Sequence, residues 1–353
     1  MKPLLTIAGI LLLIGIVFCG GAIFINGGLS FEKSYSTKTI SVEEPFSSFF
    51  IDVDTTNISI LPTNDEKCTL TIYEKERLPH TVSAENGTLT VKAAEKKWYD
   101  HIQLFDFSTP KITINLPLNE YKKLAIVCGT GDVDVAKDFI FDTVDVNLST
   151  GDVKFCASVK NLISIHGSTG STTLENANVG SIDLSRSTGN TILNKVQCEG
   201  AIRIKSNTGD TTIHQMNAQS LYVTASTGKV DMNRVSCADT IDITTSTGKS
   251  TLSAIRCKNL ISESGTGDLN MTDVIATVKF TLECSTGNIR FDRCDAAEIL
   301  AETSTGSVKG TLLTDKVFIA QTNTGTKKVP ESTSGGKCKI TTDTGDIVIT
   351  IVT

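Results

Sequence analysis

The dipeptide Thr-Gly occurs twelve times, from Thr130-Gly131 to Thr344-Gly345. Its glycines fall at 131, 151, 170, 189, 209, 228, 248, 267, 287, 306, 325 and 345, so every interval is nineteen or twenty residues. A period of that length and regularity marks an architecture in which each repeat is one coil, and neighbouring coils bury a shared core. The residues around each glycine say what kind of coil. The second position after it is often apolar, as at Val133, Val153, Val230, Leu269, Ile289, Val308 and Ile347. The fourth is apolar in nearly every copy, including Val135, Phe155, Leu174, Leu193, Ile213, Met232, Leu252, Met271, Phe291, Val329 and Ile349. The third is mostly polar. This is period-two alternation with one buried face, the pattern of a strand and not of a helix.

Nine residues after the glycine, small or apolar residues recur as Val179, Cys198, Ala218, Cys237, Cys257, Ala276 and Ala296. That column reads as an inward corner. Leucine-rich repeats share the period, but their L-x-x-L-x-L-x-x-N pattern is absent. The expected fold is therefore all-β: a single-stranded β-helix, or β-solenoid, of about twelve coils spanning 124–353. Glycine at the corner implies positive φ, which costs glycine little. The threonine before it is expected to bond the turn backbone and to stack on its copies.

Residues 29–123 carry β pattern without the repeat, at Phe49–Val53, Asn57–Ile60, Cys68–Ile72, Thr88–Val91 and Lys111–Leu116. Asn86-Gly87 suits a tight hairpin. A solenoid needs its open end covered, so this region reads as an N-terminal β cap. Residues 1–28 contain an uncharged apolar run, Leu4–Ile25, about as long as the roughly 20 residues needed to cross a bilayer as a helix. With Lys2 before it, the run reads as a transmembrane signal anchor that leaves the remainder outside the membrane.

Two stretches stand apart as interaction candidates. Trp98, Tyr99, His101, Phe105 and Phe107 cluster within 95–109, either as an exposed patch or as a long loop folded back on the cap, the second being favoured. The C-terminal strand, with Val348 and Val352 on its second face, ends the chain with no polar segment after it. As a bare edge it would pair with another subunit or a partner.

Chemistry has little support. Asp follows the glycine at Asp132, Asp152, Asp210, Asp268 and Asp346, but the row is broken by Ser171, Asn190, Lys229, Lys249, Asn288, Ser307 and Thr326. A broken row argues against a calcium site or a carbohydrate-active site, and Asp and Asn suit turns for local reasons. Gly248-Lys249-Ser250 ends like a phosphate-binding loop, yet Ile243 stands where the motif needs glycine. His80, His101, His166 and His214 lack metal-ligand spacing. The ten cysteines include no C-x-x-C pair, and those in the repeat read as buried free thiols. No catalytic residue, metal site or cofactor is expected. A net charge of −6 without a basic stripe leaves nucleic acid without a footprint.

The strands Phe50-Ile51-Asp52-Val53, Gly87-Thr88-Leu89-Thr90-Val91 and Ile112-Thr113-Ile114-Asn115-Leu116-Pro117, followed by Ser-Thr-Gly-Asp-like turns, resemble the bacterial putative-adhesin domain family. The resemblance covers about Glu43 to the C-terminus. It implies a β-solenoid ectodomain behind an N-terminal membrane helix, with no catalytic residues to carry over. The cysteine content departs from what such a surface protein implies. Three functions stay open. The first is a membrane-anchored surface protein that binds a protein or a glycan. The second is a structural or sensory component of envelope stress. The third is a carbohydrate-active β-helix enzyme, against which the broken Asp row argues.

Overall fold

The structure, a computed structural model, describes Leu12, Gly15 and residues 35–94 and 109–352. The chain from Tyr35 onward is an all-β solenoid of about eleven turns, the number of intervals that twelve Thr-Gly corners enclose. Successive coils pair in parallel and in register. Ile182, Ile202, Leu221, Ile241, Leu260, Phe280 and Ile299 form one interior column, each at most 1% exposed. The alternation seen around each glycine is thus the consequence of one face turned into a continuous apolar interior.

Each turn glycine has φ between +119° and +152°. A Cβ built there would lie 1.8–2.1 Å from a carbonyl oxygen of the adjacent coil, in eleven cases that of another turn glycine. Glycine is required twice over, by dihedral and by close backbone approach. The threonine row behaves differently from expectation. Its side chains are exposed and make no hydrogen bond among the described residues. What the turn uses is the threonine carbonyl, which accepts the glycine N–H of the adjacent coil, as in Gly131 to Thr150 at 2.9 Å and Gly209 to Thr227 at 3.0 Å. The row is set by strand propensity, since a β-branched side chain suits an exposed in-register ladder.

A second corner carries no sequence signal. Six residues after the glycine, Asn176, Lys195, Gln215, Arg234, Ala254, Asp273 and Arg293 all adopt φ of +51° to +55°. Left-handed backbone costs a non-glycine residue about 1 kcal/mol or more, and the stacked coils impose it anyway.

The N-terminal region is more than a cap. Ser48–Thr55 and Asn57–Thr63 form a first coil, paired in parallel with Glu120–Thr130 and Val133–Val135. Thr55 lies opposite Thr130, so Thr56 takes the place a glycine holds elsewhere. Beyond this coil Thr88–Lys92 and Lys111–Pro117 add one more parallel rung on its two arms. Antiparallel strands then close the end: Thr81–Glu85 on one side, and Cys68–Lys75 followed by Tyr35–Val42 on the other. Asn86 and Gly87 have φ of +51° and +74°, the tight hairpin expected of them.

The C-terminal end corrects an expectation. Gly345 stacks on Gly306, and Gly325 stacks on Gly345, so the last two coils exchange places. Ile347–Ile351 pairs with Val308–Leu312 on one side and Lys327–Lys328 on the other. Val348 lies between Lys309 and Lys328, and the Val352 N–H donates to the Leu312 carbonyl at 2.8 Å. The C-terminal strand is therefore an inner rung, and a self-association edge at Val348 is not available. Hydrophobic burial is the reason. The coil Gly336–Ile351 inserts Cys338, Ile340, Ile347 and Ile349 into the interior at no more than 1% exposure. The other coil has Lys327 at the inward position and is suited to the solvent side. The solvent-facing edge at this end belongs to Lys316–Thr324, where Val317 and Ile319 are exposed.

The span 4–25 lies outside the described residues except for Leu12 and Gly15. Among the described residues no helix is long and apolar enough to cross a membrane.

Candidate functional sites

The row of residues after the turn glycines is a hydrogen-bonded ladder. The Asp132 carboxylate accepts the Asp152 N–H at 2.9 Å, and the Asp152 carboxylate accepts the Ser171 N–H at 2.7 Å. Asn190 accepts from Asp210, Asp210 from Lys229, Asp268 from Asn288, Asn288 from Ser307, and Asp346 from Thr326, all at 2.8–3.0 Å. Any short side chain with an acceptor oxygen serves, which is why Asp, Asn and Ser interchange along the row. Lys229 and Lys249 have no such oxygen, so the ladder lapses there. Lys249→Asn is expected to restore an acceptor for the Asp268 N–H and to stabilise the chain by about 0.5–1.5 kcal/mol. A shift of the denaturation midpoint at constant slope would show it.

A second constellation was not legible in the sequence. Glu74 on Cys68–Lys75, His80 and Thr56 come together at the cap, with exposures of 2%, 5% and 1%. His80 Nδ1 donates to Glu74 Oε2 at 2.8 Å, and Thr56 Oγ1 lies 3.2 Å from His80 Nε2. The His80 N–H also donates to Glu74, while Lys38 Nζ sits 2.9 Å from Oε1 of the same carboxylate. Burial pushes the Glu74 carboxyl up, but the bonds from Lys38 and His80 outweigh it and leave the group below its usual range. Hydroxyl, imidazole and carboxylate stand in the order of a hydrolase triad. Each is buried, however, so the hydroxyl has no substrate face, and the set acts as a strut between the closing strands and the first coil.

The outer face of the coils carries a shallow trough lined by Thr244, Ser246, Glu263, Glu283, Glu302 and Ser304. Glu263, Glu283 and Glu302 are exposed on three adjacent rungs, in register, and none forms an ion pair among the described residues. Burial, with Glu263 nearby, raises the carboxyl of neighbouring Asp242.

Among the described residues no cluster of His, Cys, Asp and Glu could hold a metal. The nine described cysteines are free, eight of them buried and Cys156 partly so. Burial raises the thiols, those of Cys68, Cys237, Cys257 and Cys338 to about 12. Tyr222, an exposed aromatic on the coils, lies under Arg203, whose guanidinium is 5.4 Å from the ring centroid. Of the interaction candidates, Trp98, Tyr99, Phe105 and Phe107 lie outside the described residues. Val348 and Val352 belong to the opposite end of the rod from the strands that flank those aromatics.

Comparison with known proteins places this architecture. The sequence profile of the Toastrack DUF4097 family matches residues 46–254 and 212–353. Among solved structures, a putative adhesin from Parabacteroides merdae is similar, at 15% identity over 79% of this chain and 97% of that one, with a TM-score of 0.41. A putative lipid binding protein from Parabacteroides distasonis is 16% identical over 79% and 97% of the two chains, with a TM-score of 0.35. A putative cell adhesion protein from Clostridium sporogenes is 9% identical over 90% and 100%, with a TM-score of 0.21. No curated protein matches the chain. The two matched spans overlap and together run from the first coil to the C-terminus, and on that ground the chain belongs to the Toastrack DUF4097 family.

Proposed function

We propose that this chain is a non-enzymatic rod, tethered at the cell membrane by its 4–25 segment, that presents the solenoid on the outer side as a binding or scaffolding surface. The observation that carries this reading is topological. Tyr35–Val42, which follows the apolar segment, is the outermost strand on one face of the N-terminal end. The connection from Thr88–Lys92 to Lys111–Pro117, which bears Trp98, Tyr99, Phe105 and Phe107, joins two faces of the same end. The strand that follows the apolar segment and the two strands that flank the aromatic segment thus share one end, and the coils extend away from it.

The ladder of side chains after the glycines supports the non-enzymatic part, because those oxygens are engaged in joining coils. A surface protein or a glycan is the proposed partner class. Two features are offered for contact: the aromatic segment with Trp98, Tyr99, Phe105 and Phe107, and the acidic trough of Glu263, Glu283 and Glu302 along the rod.

Fractionation of intact cells, with external protease applied before lysis, tests the placement. The full chain should sediment with membranes, be cut from outside, and be released when residues 4–25 are deleted. Recovery in the soluble fraction, or protection from protease until lysis, would overturn the reading. Envelope captured on the immobilised rod should decrease when Trp98, Tyr99, Phe105 and Phe107 are replaced by alanine. If it decreases instead with Glu263, Glu283 and Glu302 replaced by glutamine, the trough is the contact face.

A further inference from the structure

The N-terminal end of the rod is closed by antiparallel strands, and the other end is not. Its outermost coil runs through Lys316–Thr324, the Gly325 turn and Lys327–Lys328, and each arm pairs on one side only among the described residues. The Gly345 N–H donates to the Thr324 carbonyl and the Ile347 N–H to the Thr326 carbonyl, so the even-numbered residues turn their backbone groups to the coil beneath. By alternation, Val317, Ile319, Gln321 and Asn323 direct theirs past the end of the rod. A row of unpaired N–H and C=O groups is a template for one more strand.

The side chains say which strand. In the first arm Phe318 and Ala320 continue the inward columns of Cys338 and Ile340, but they are only half-buried because no coil covers them. Apolar residues opposite these two would complete the interior. In the second arm the inward position belongs to Lys327, which stacks on Ile347 and, one coil further in, Val308. Ile347 and Val308 are fully buried, whereas Lys327 is exposed. Neither Lys327 nor Lys328 forms an ion pair among the described residues, while Lys316, the remaining cation of this coil, is already held 2.6 Å from Asp295.

A strand that laid an apolar residue over Lys327 would bury the ammonium without a partner, and a carboxylate there would pair with it. The lysine thus turns away uncharged strands and favours an acidic one. A second copy stacked on this end would bring the same lysines of both copies to one interface.

We propose that this open coil binds an extended segment of a partner protein, which adds as a further rung with apolar residues opposite Phe318 and Ala320 and a carboxylate opposite Lys327. The contact lies at the end of the rod opposite the closing strands, and it depends neither on the tether nor on the acidic trough.

The rod itself supplies the probe. In the coil of Gly306, Ile299, Ala301 and Val308 occupy the columns of Phe318, Ala320 and Lys327. A synthetic peptide of residues 298–311 carrying Val308→Asp has the required pattern, and the unaltered peptide lacks only the carboxylate. Labelled peptides are titrated with the full chain in detergent at low salt and followed by fluorescence anisotropy. The Val308→Asp peptide should bind at least about tenfold more tightly than the unaltered one, the effect of one close charge pair. Lys327→Glu in the rod should abolish that preference and bring a preference for a Val308→Lys peptide instead. Lys327 is exposed, so its replacement leaves the fold intact. Amide exchange locates the contact: the N–H groups of Val317, Ile319 and Gln321 should slow when the Val308→Asp peptide is added. Absence of binding, an affinity indifferent to Lys327→Glu, or protection elsewhere on the rod would overturn the proposal. Protection of the same amides that rises with rod concentration in the absence of peptide would assign the edge to a second copy and overturn it as well.

Discussion

Gly228→Ala is expected to lower the stability of the chain by about 4 kcal/mol or more, an effect at the extreme of single substitutions. Gly228 has φ of +144°, and a Cβ there would lie 2.0 Å from the Gly209 oxygen and 2.6 Å from its carbon. Both atoms are backbone, so no rotamer change relieves the contact. Moving the turn aside would break the 3.1 Å bond from the Gly228 N–H to Thr247 and the rungs on either side. Thr227→Ala, one residue away, removes an exposed side chain without hydrogen bonds and should change stability by about 0.5 kcal/mol or less. Equilibrium denaturation of the two variants makes the comparison. Similar midpoints would show that the glycine row is not what fixes the coil.

Glu74→Ala is expected to cost about 3–5 kcal/mol, because it leaves Lys38 and His80 facing an empty buried site. The loss should be local. The strut links Tyr35–Val42 and Cys68–Lys75 to Thr56 in the first coil, so amide exchange should accelerate in these closing strands while the coils beyond Gly131 keep their protection. Uniform acceleration along the rod would contradict that assignment. The pH dependence has a definite sign. The folded-state carboxyl of Glu74 lies below its unfolded value, so the chain is stabilised above the unfolded value near 4.5. That stabilisation declines as pH falls through the folded-state value, and Glu74→Ala should flatten the acid limb of the stability profile.

Some of this molecule could be read directly because the information is local. A glycine whose φ must be positive leaves a unique residue at a fixed interval, and twelve of them announce the coil. Lys195, Arg234 and Ala254 occupy a second corner just as regular, but left-handed φ near +53° admits many residue types, so no letter repeats. The Asp row shows the converse. It was legible as a row, and its variation among Asp, Asn and Ser pointed away from chemistry, yet its purpose needed the neighbouring coil: the acceptor of one coil serves the N–H of the next. The Glu74–His80–Thr56 strut and the buried Arg186–Thr172 pair join residues that local pattern cannot associate. Thr56 and His80 are separated by two strands, and Thr172 looks like any other turn-flanking hydroxyl.

By itself the sequence determined the coil: its period, its strand character, its inward columns and the glycine corner, all of which follow from alternation and backbone sterics within twenty residues. The tertiary structure decided the order and ends of the stack. It placed a glycine-free coil, Ser48–Thr63, beneath the first Thr-Gly turn, and it put the C-terminal strand inside the rod with Lys327 and Lys328 at its edge. Order along the rod is a competition among coils for burial. Apolar Ile347 and Ile349 gain more from two neighbours than a lysine-bearing coil does, and that comparison exists only once every coil is in place.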